Sequence, residues 1–379
     1  MSAGARRIHH STEEGLSRFA WFRASLYTFL LSSVAIGAVA CERDGGAESR
    51  GPVRRLGGRA FLAAQWDTLW VVESSLQDTL LQRPLTLAAT DDGVYVLDPG
   101  GHRVLAFDLE GKLRWTYGRK GGGPDEFNFP ISLEAQGGEV YILDRGNARV
   151  TVLDRDGKVV RRTPIREESR VDGIVPLDGG RLVLVTSDAE RPIVVVDPDG
   201  KPLSRSAMPW EGFASLHDIV RQGRVANDGG AWAFAFSSGD GWVAFSGTEP
   251  TGVTGRFVEH VEFPEVKQEV HRSRDETALS TRLAGPPVFA AWSVSLSDSV
   301  LYVHFGGRTP LQLRIIDAYD WANGAYLGSF ELPEAVSKVS VRGDRFYLLR
   351  TSPLPAILAL RLANVPDALR SGQSIASGS

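Results

Sequence analysis

The chain has 379 residues, of which 42% are hydrophobic and 23% are charged, and these are ordinary values for a folded protein with a large core. The formal net charge is −4, and because residues 1–40 carry +2, the remainder carries −6. A mildly acidic body argues against a nucleic-acid partner, since binding to phosphates requires a strongly basic surface.

The first predicted element is an apolar stretch, Ala24–Ala40, which contains no charged residue and follows an arginine-containing segment. A positive segment, an apolar segment and small residues at its end are typical of a secretory signal peptide, which we assign to residues 1–40. An uncleaved membrane anchor is the alternative, because the stretch is near the short limit of lengths that span a bilayer.

Cys41 is the single cysteine of the chain, so an internal disulfide bond is impossible. Small residues that end in a cysteine after an apolar segment resemble a bacterial lipobox, in which that cysteine becomes the acylated first residue. We therefore predict lipidation of Cys41, with ordinary signal-peptidase cleavage after Ala40 as the alternative. Residues 41–58 are polar and contain several glycines, which predicts a flexible tether.

Residues 94–112 and 140–158 are two copies of one segment, 46 positions apart, and ten of their nineteen positions are identical. Each copy contains two strand-like runs and ends in Asp-x-x-Gly-Lys. Such a sequence favours a tight turn, because the aspartate accepts backbone N–H groups and the glycine tolerates a positive φ. A third such turn begins at Asp197. A period in the forties built from short strands predicts the blades of a β-propeller.

Weaker copies continue along the chain: Trp232–Phe236 with Gly241–Phe245, Val300–His304 with Leu311–Ile316, and Phe346–Leu349 with Ala356–Leu362. The last copy lacks a fourth strand, which the spare run Asp67–Glu73 would supply, closing the ring. The sequence therefore predicts an all-β, six-bladed β-propeller of four-stranded antiparallel blades over residues 59–365, with five or seven blades as alternatives. Residues 366–379 form a polar tail, and residues 265–283, charged and free of glycine and proline, predict a helical insertion or lid.

Residues 141–157 resemble the core of an NHL repeat, and so does the preceding loop Gly121–Pro130, although Asp125 stands where that family usually has glycine. With the signal segment and Cys41, the whole chain resembles the bacterial six-bladed propeller lipoproteins. This resemblance implies an exported lipoprotein of the cell envelope, in the periplasm or at the outer membrane, and we expect a monomer. NHL-like propellers include binding platforms, lyases and lactonases, so the resemblance does not select an activity.

The loop Gly118–Asp125 is glycine-rich and basic, and its backbone N–H groups would suit an anion. It lacks the Gly-Lys-Ser/Thr of a phosphate-binding loop, and a plain connecting loop is the structural alternative. We predict ligand-binding residues at one mouth of the central channel, because the loops that contain them emerge on the same face of a propeller. They are Arg119, Lys120, Arg145 and Asn147.

Glu134 and Asp172 lie on predicted innermost strands, and together with His217 they are candidate ligands for calcium or zinc. No histidine pair has the spacing of a helical metal site, and no Gly-x-Ser-x-Gly motif occurs. We therefore favour a non-enzymatic scaffold without a cofactor, tethered to the membrane by lipid on Cys41, that binds an envelope protein or a small-molecule ligand. The alternative is a metal-dependent, lactonase-like hydrolase or lyase with its site on the channel axis.

Overall fold

The structure is a computed structural model that describes residues 55–56, 58–75, 77, 79–165, 170–272, 277–308, 311–366 and 369. Cys41, the predicted signal peptide and most of the predicted tether and tail lie outside the described residues. Within them, twenty-four strands form six four-stranded antiparallel sheets, which confirms the predicted all-β, six-bladed propeller. No helix in this part of the chain has the length and hydropathy needed to span a membrane.

Three strands precede the first complete blade: β1 Arg55–Leu56, β2 Arg59–Ala60 and β3 Trp66–Glu73. Blade 1 contains β4 Thr86–Thr90, β5 Gly93–Asp98, β6 Arg103–Phe107 and β7 Leu113–Tyr117. Blade 2 contains β8 Pro130–Gln136, β9 Glu139–Asp144, β10 Arg149–Asp154 and β11 Val159–Pro164. Blade 3 contains β12 Val171–Pro176, β13 Leu182–Thr186, β14 Ile193–Val196 and β15 Pro202–Ser206.

Blade 4 contains β16 Gly223–Asp228, β17 Ala231–Phe236, β18 Trp242–Ser246 and β19 Glu249–Gly255. A separate two-stranded hairpin follows, with β20 Val266–Arg272 and β21 Thr277–Leu283. Blade 5 contains β22 Ala291–Ser297, β23 Val300–Phe305, β24 Ile315–Asp320 and β25 Tyr326–Glu331. Blade 6 contains β26 Lys338–Arg342, β27 Arg345–Arg350 and β28 Ala356–Leu362, and two short 3-10 turns occupy Asp178–Gly180 and Phe213–Ser215.

The fourth strand of blade 6 is β3, from the other end of the chain. It pairs antiparallel with β28, from Glu73 opposite Ala356 to Trp66 opposite Leu362. The ring of Trp66 packs edge-on against Phe346, with 4.9 Å between the ring centroids. Blade 6 therefore combines the first and last segments of the propeller, residues 66–73 and 356–362, as the sequence predicted, and the edge of β28 is covered.

The Asp-x-x-Gly turns form as predicted. The Oδ1 atom of Asp108 accepts the backbone N–H groups of Glu110 and Lys112 at 3.1 and 2.8 Å. Asp154 and Asp197 each accept two N–H groups in the same way, at 2.8 to 3.0 Å. The repeated aspartate therefore stabilises the turn between the two outer strands of blades 1, 2 and 3.

A tryptophan of one blade packs against the turn of the next. A Cβ atom at Gly111, where φ is +83°, would lie 2.7 Å from Trp70 Cδ2, and Trp70 Nε1 donates to the carbonyl of Leu109 at 2.8 Å. Trp115 lies in the same way against Gly157, where a Cβ atom would also approach to 2.7 Å. Glycine is therefore required in these turns both by its backbone conformation and by the close indole ring.

The segment directly after the predicted tether is fixed to the propeller by a buried cation. Arg59, on β2, forms ion pairs with Asp317 at 2.8 Å and with Glu259, and both Arg59 and Asp317 are fully buried. The guanidinium also lies 4.1 Å from the centroid of the Phe305 ring. Close by in the chain, the backbone N–H of Leu62 donates to the carbonyl of Ser329 at 2.8 Å. Residues 59–62 are therefore fixed against blade 5 by side-chain and backbone contacts.

Blades 5 and 6 are joined by a ladder of serine hydroxyl groups at alternate positions of β22. The serines are Ser293, Ser295 and Ser297, and all three are buried. Their oxygens accept backbone N–H groups from residues 46 positions further along, on and directly after β26, at 3.1, 2.8 and 3.1 Å. Alternate side chains of a strand share a face, so the ladder satisfies N–H groups of β26 that point away from its own blade.

His304, on β23, is buried beside this ladder in the neutral form. Its Nε2 donates to the carbonyl of Leu313 at 3.0 Å, and its Nδ1 accepts from the Ser293 hydroxyl at 3.3 Å. Burial lowers the pKa of His304 to about 4. The ring therefore stays neutral at a pH where an unfolded histidine would already be protonated.

Acid should destabilise the protein through His304. The folded pKa is below the unfolded value, so this contribution is present above about pH 6.5 and is lost as the pH falls towards 4. We expect wild-type protein to lose about 2–3 kcal/mol more free energy of unfolding between pH 7.5 and 4.5 than His304→Gln, which keeps a donor and an acceptor. Urea titrations at the two pH values measure this difference, and equal losses would assign the acid sensitivity to other groups.

The predicted helix at residues 265–283 is wrong. Strands β20 and β21 form an antiparallel hairpin there, with Val266 opposite Leu283 and Arg272 opposite Thr277. The absence of glycine and proline permits a helix, but hairpin strands lack these residues too, and valine and threonine favour extended backbone. The predicted run 311–316 also begins too early, because residues 311–314 form a turn and β24 begins at Ile315.

Candidate functional site

The loops of the propeller divide between two faces. The loop that leads into each innermost strand and the loop between the second and third strands emerge on the same face, because neighbouring strands of a blade are antiparallel. We call this the top face, and it carries residues 118–129 and 145–148, where the four predicted ligand-binding residues lie. The bottom face carries the Asp-x-x-Gly turns.

Asp144, at the end of β9, holds the two top-face loops of blade 2 together. Its buried carboxylate accepts the backbone N–H of Phe129 at 2.9 Å and the side-chain amide of Asn147 at 2.7 Å. Asp98 in blade 1 accepts two backbone N–H groups in the same way, at 2.8 and 3.0 Å. The repeated aspartate is therefore a structural clamp that fixes the loop entering each of these innermost strands.

The glycine-rich loop folds around a carboxylate of its own. Glu126 Oε2 accepts the N–H of Gly123 at 2.8 Å, and Oε1 accepts from Arg119 Nε at 2.9 Å. These bonds hold the pKa of Glu126 below its usual value, the Gly123 N–H having the largest effect. At Gly121, where φ is +147°, a Cβ atom would lie 2.1 Å from this carboxylate. The backbone N–H of Gly123, which could have bound an external anion, is therefore occupied by Glu126.

The four predicted ligand-binding residues divide into two exposed and two bonded side chains. Arg119 is 75% exposed although it pairs with Glu126, and the Lys120 side chain is exposed. Arg145 instead donates to Asp172 at 2.6 Å. The Asn147 amide donates to two carbonyls of the glycine-rich loop, at 3.0 and 3.2 Å, as well as to Asp144. Arg145 and Asn147 therefore hold the loops in place, and Arg119 and Lys120 point to solvent.

Apolar side chains that the sequence analysis did not select are exposed at the same mouth. Phe129 and Leu85 directly precede the innermost strands of blades 2 and 1, and they are 57% and 48% exposed. With the 46-residue period of the repeat, Phe129 aligns with Arg83 and Leu85 aligns with Ile131, so the repeat alignment held no signal that identifies them. Large exposed apolar groups beside basic side chains are a common composition for binding surfaces.

Polar side chains from alternate blades meet inside the channel. Glu134 on β8 accepts a hydrogen bond from Asn227 on β16 at 2.8 Å, across the ring from one blade to another. Burial raises the pKa of Glu134, against the opposing effects of Lys338 on β26 and of Asn227. A cavity of about 40 Å³ is lined by these three residues and by neighbouring strand residues. Asn227 and Lys338 were missed because they belong to no motif and come together only when the ring closes.

The three candidate metal ligands each have separate partners. Glu134 contacts Asn227, Asp172 accepts from Arg145 and Arg170, and His217 pairs with the adjacent Asp218 at 2.5 Å. Among the residues that the structure describes, no three histidine, cysteine, aspartate or glutamate side chains are close enough together to hold a metal ion. The geometry thus offers a polar channel with a basic and partly apolar mouth.

The six four-stranded sheets define the chain as a six-bladed β-propeller. Residues 57–172 match the profile of a family described as outer membrane protein assembly factor BamB. This match covers less than half of the chain. No curated protein matches the chain by sequence.

Several solved structures have a similar fold. A protein of the DUF4221 family from Bacteroides vulgatus is 9% identical with a TM-score of 0.50, and the match covers 82% of this chain and 100% of that one. A Bacteroides fragilis protein described as exported is 10% identical with a TM-score of 0.50, covering 79% and 96%. Virginiamycin B lyase from Staphylococcus aureus is 12% identical with a TM-score of 0.47, covering 79% and 100%. At such identities, the first two similarities concern the fold alone.

Proposed function

We propose that this chain is a lipid-anchored, monomeric scaffold of the bacterial cell envelope, which binds a protein partner or a small-molecule ligand through its top face and needs no cofactor. The partial match to an outer membrane protein assembly factor supports the envelope and a protein partner. The lipobox-like sequence that ends in Cys41 supports the lipid anchor. The repeat similarity to NHL propellers is compatible with a binding platform.

The observation that carries the proposal is the exposed surface of the loop 118–129. Arg119, Lys120 and Phe129 present two cations and an aromatic ring to solvent. The loop beneath them is held by Asp144 and Asn147. Arginine and aromatic side chains are enriched at interfaces, and a loop that is already ordered loses little conformational entropy when a partner binds.

Replacement of the exposed residues should reduce binding without affecting the fold. We expect the triple variant Arg119→Ala/Lys120→Ala/Phe129→Ser to melt within a few degrees of the wild type, because exposed side chains contribute about half a kcal/mol each or less. The same variant should recover at least tenfold less of the proteins that wild-type bait enriches from envelope extracts, as quantified by mass spectrometry. Arg145 and Asn147 are left intact because their bonds to the loops would confound the measurement with lost stability.

A matched control removes charge from the bottom face. Lys112→Ala/Lys158→Ala changes two exposed lysines in the Asp-x-x-Gly turns and should capture the same proteins as the wild type. Equal capture by the top-face variant would contradict the proposal.

Stoichiometric calcium or zinc retained through dialysis would instead favour the hydrolase or lyase alternative, with Glu134, Asp172 and His217 as the first residues to test.

The lipid anchor has its own test. Wild-type protein expressed in a bacterial host should incorporate a clickable palmitate analogue and fractionate with membranes. Cys41→Ser should abolish the labelling, because the cysteine sulfur is the atom to which the lipid is attached in a bacterial lipoprotein. A wild-type protein that remains unlabelled and freely soluble would indicate cleavage by an ordinary signal peptidase and would contradict the lipoprotein assignment.

A further inference from the structure

A groove lies on the top face between blades 4 and 5, beside the hairpin of β20 and β21. One side is formed by residues 259–265, which lie between β19 and the hairpin, and the other by residues 286–288, which lie between the hairpin and β22. Arg308, in the loop between β23 and β24, lines the same groove. The volume is about 470 Å³, which is within the usual range for ligand pockets.

Both sides of the groove are fixed by contacts within the propeller. Val261 is buried among the core side chains of blades 4 and 5, and Phe263 packs edge-on against Phe236 of β17, with 5.0 Å between the ring centroids. On the other side, Arg308 Nη2 donates to the carbonyl of Pro286 at 2.6 Å. A groove that is already formed loses little conformational entropy when a ligand binds.

The groove is largely apolar and offers few hydrogen-bond donors. Its apolar lining residues are Val261, Phe263, Pro264, Pro286, Pro287 and Val288. The three prolines have no backbone N–H to offer a ligand. His260 directs its Nδ1 to the Asp240 carboxylate at 2.8 Å, so the free Nε2 of the neutral ring is an acceptor. The groove therefore suits a ligand that brings hydrogen-bond donors of its own.

The charge of the groove is negative. Three glutamates line it, Glu259, Glu262 and Glu265, against one arginine, Arg308. Glu259 is paired with Arg59. Glu262 and Glu265 are exposed, and their carboxylates have no hydrogen-bond or ion-pair partner among the residues that the structure describes. Two carboxylates beside the apolar surface are therefore available to a cationic ligand.

Apolar surface next to free carboxylates complements the side chains of arginine and lysine. Their aliphatic stems can cover apolar surface while the charged group binds a carboxylate. A guanidinium also stacks on aromatic rings and offers paired N–H donors to a carboxylate. A basic peptide would place its stems against Phe263 and the prolines, and its charged groups beside Glu262 and Glu265.

We propose that this groove binds a basic peptide segment of a partner protein, in which arginine or lysine is flanked by apolar residues. Charge complementarity and the preformed apolar walls support this occupant. The groove is separate from the loop 118–129, so the inference goes beyond the proposed function and adds a second binding surface on the same face.

Fluorescence anisotropy of a labelled peptide, Ala-Leu-Arg-Pro-Leu-Arg-Ala, tests the groove in the full-length protein in neutral detergent. We expect the same peptide with uncharged citrulline in place of arginine to bind at least tenfold more weakly. Glu262→Gln/Glu265→Gln should also weaken binding of the arginine peptide at least tenfold, because it keeps the shape and removes the charge. Glu110→Gln/Asp199→Asn, which alters two exposed carboxylates of the bottom-face turns, should leave binding unchanged.

Several results would overturn the inference. Absence of peptide binding to the wild type, equal binding of the citrulline peptide, or wild-type affinity in the groove variant would each do so. An equal loss in the bottom-face control would also do so, because it would indicate only non-specific attraction between charges. Melting temperatures exclude misfolding as the cause, since exposed carboxylates without partners contribute little to stability.

Other occupants give different results. If the wild type does not bind the peptide but Arg50→Gln/Arg54→Gln does, the occupant is the chain's own segment before β1, and the proposed partner is wrong. A dimer in sedimentation velocity that Glu262→Gln/Glu265→Gln dissociates would instead assign the groove to a second copy of this chain. The loop variant Arg119→Ala/Lys120→Ala/Phe129→Ser should bind the peptide normally, so failure of the scaffold proposal and failure of the groove are separable.

Discussion

A protein that begins at residue 55 is expected to unfold cooperatively on heating. The same protein with residues 59–75 deleted is expected not to fold. The deletion removes β3, exposes the edge of β28, and takes away the indoles of Trp66 and Trp70 that pack against blades 6 and 1. Loss of one large buried aromatic side chain alone costs about 3–5 kcal/mol, and whole domains are stable by only about 5–15 kcal/mol. Circular dichroism during heating measures the difference.

A control variant on β3 distinguishes the effect of ring closure from the effect of changing side chains on this strand. Leu69 and Val71 are 37% and 49% exposed, so Leu69→Thr/Val71→Thr keeps the strand and its pairing while altering only its outer side. This variant should melt within a few degrees of the wild type. If the protein that lacks residues 59–75 melts at the wild-type temperature, blade 6 is stable with three strands.

Replacement of Arg59 by methionine should be the most destabilising single substitution. The guanidinium is the cationic partner of the fully buried Asp317 and also pairs with Glu259. Its loss leaves an uncompensated buried charge, which typically costs about 3–5 kcal/mol. Urea unfolding of the wild type and Arg59→Met gives this difference directly.

The double variant Arg59→Met/Asp317→Asn tests the physical reason. If the cost arises from the unpaired carboxylate, removal of that charge should recover a substantial part of the lost free energy of unfolding. Additive losses in the two single variants and the double variant would indicate that packing against Phe305, rather than the ion pair, accounts for the effect.

The repeat unit was predictable from the sequence because its determinants are local. Asp108, Asp154 and Asp197 each bond to backbone N–H groups within the next four residues, so the sequence alone contains the turn and its two flanking strands. The hairpin at 266–283 was not predictable in the same way, since its composition is compatible with helix and strand and only the pairing of β20 with β21 decides.

The candidate site was partly predictable. The exposed positions of Arg119 and Lys120 follow from a glycine-rich loop, which has little apolar surface to bury. The occupation of that loop by Glu126 depends on its three-dimensional path and could not be derived from spacing. Asn227 and Lys338 belong to different blades and to no motif, so only the closed ring brings them to one cavity.

The pairing of β3 with β28 also constrains the order in which the molecule can form. The ion pair between Asp67 and Arg361 joins residues 294 positions apart, and closing a loop of that length costs about 5 kcal/mol of chain entropy. Blades 1 to 5 consist of contacts between neighbouring strands and can assemble while the chain is still emerging. Blade 6 must wait for β28, so during synthesis or export β3 remains without its partner until residues 356–362 have been made. A nascent chain of this protein is therefore expected to remain sensitive to proteases at β3 until β28 is available.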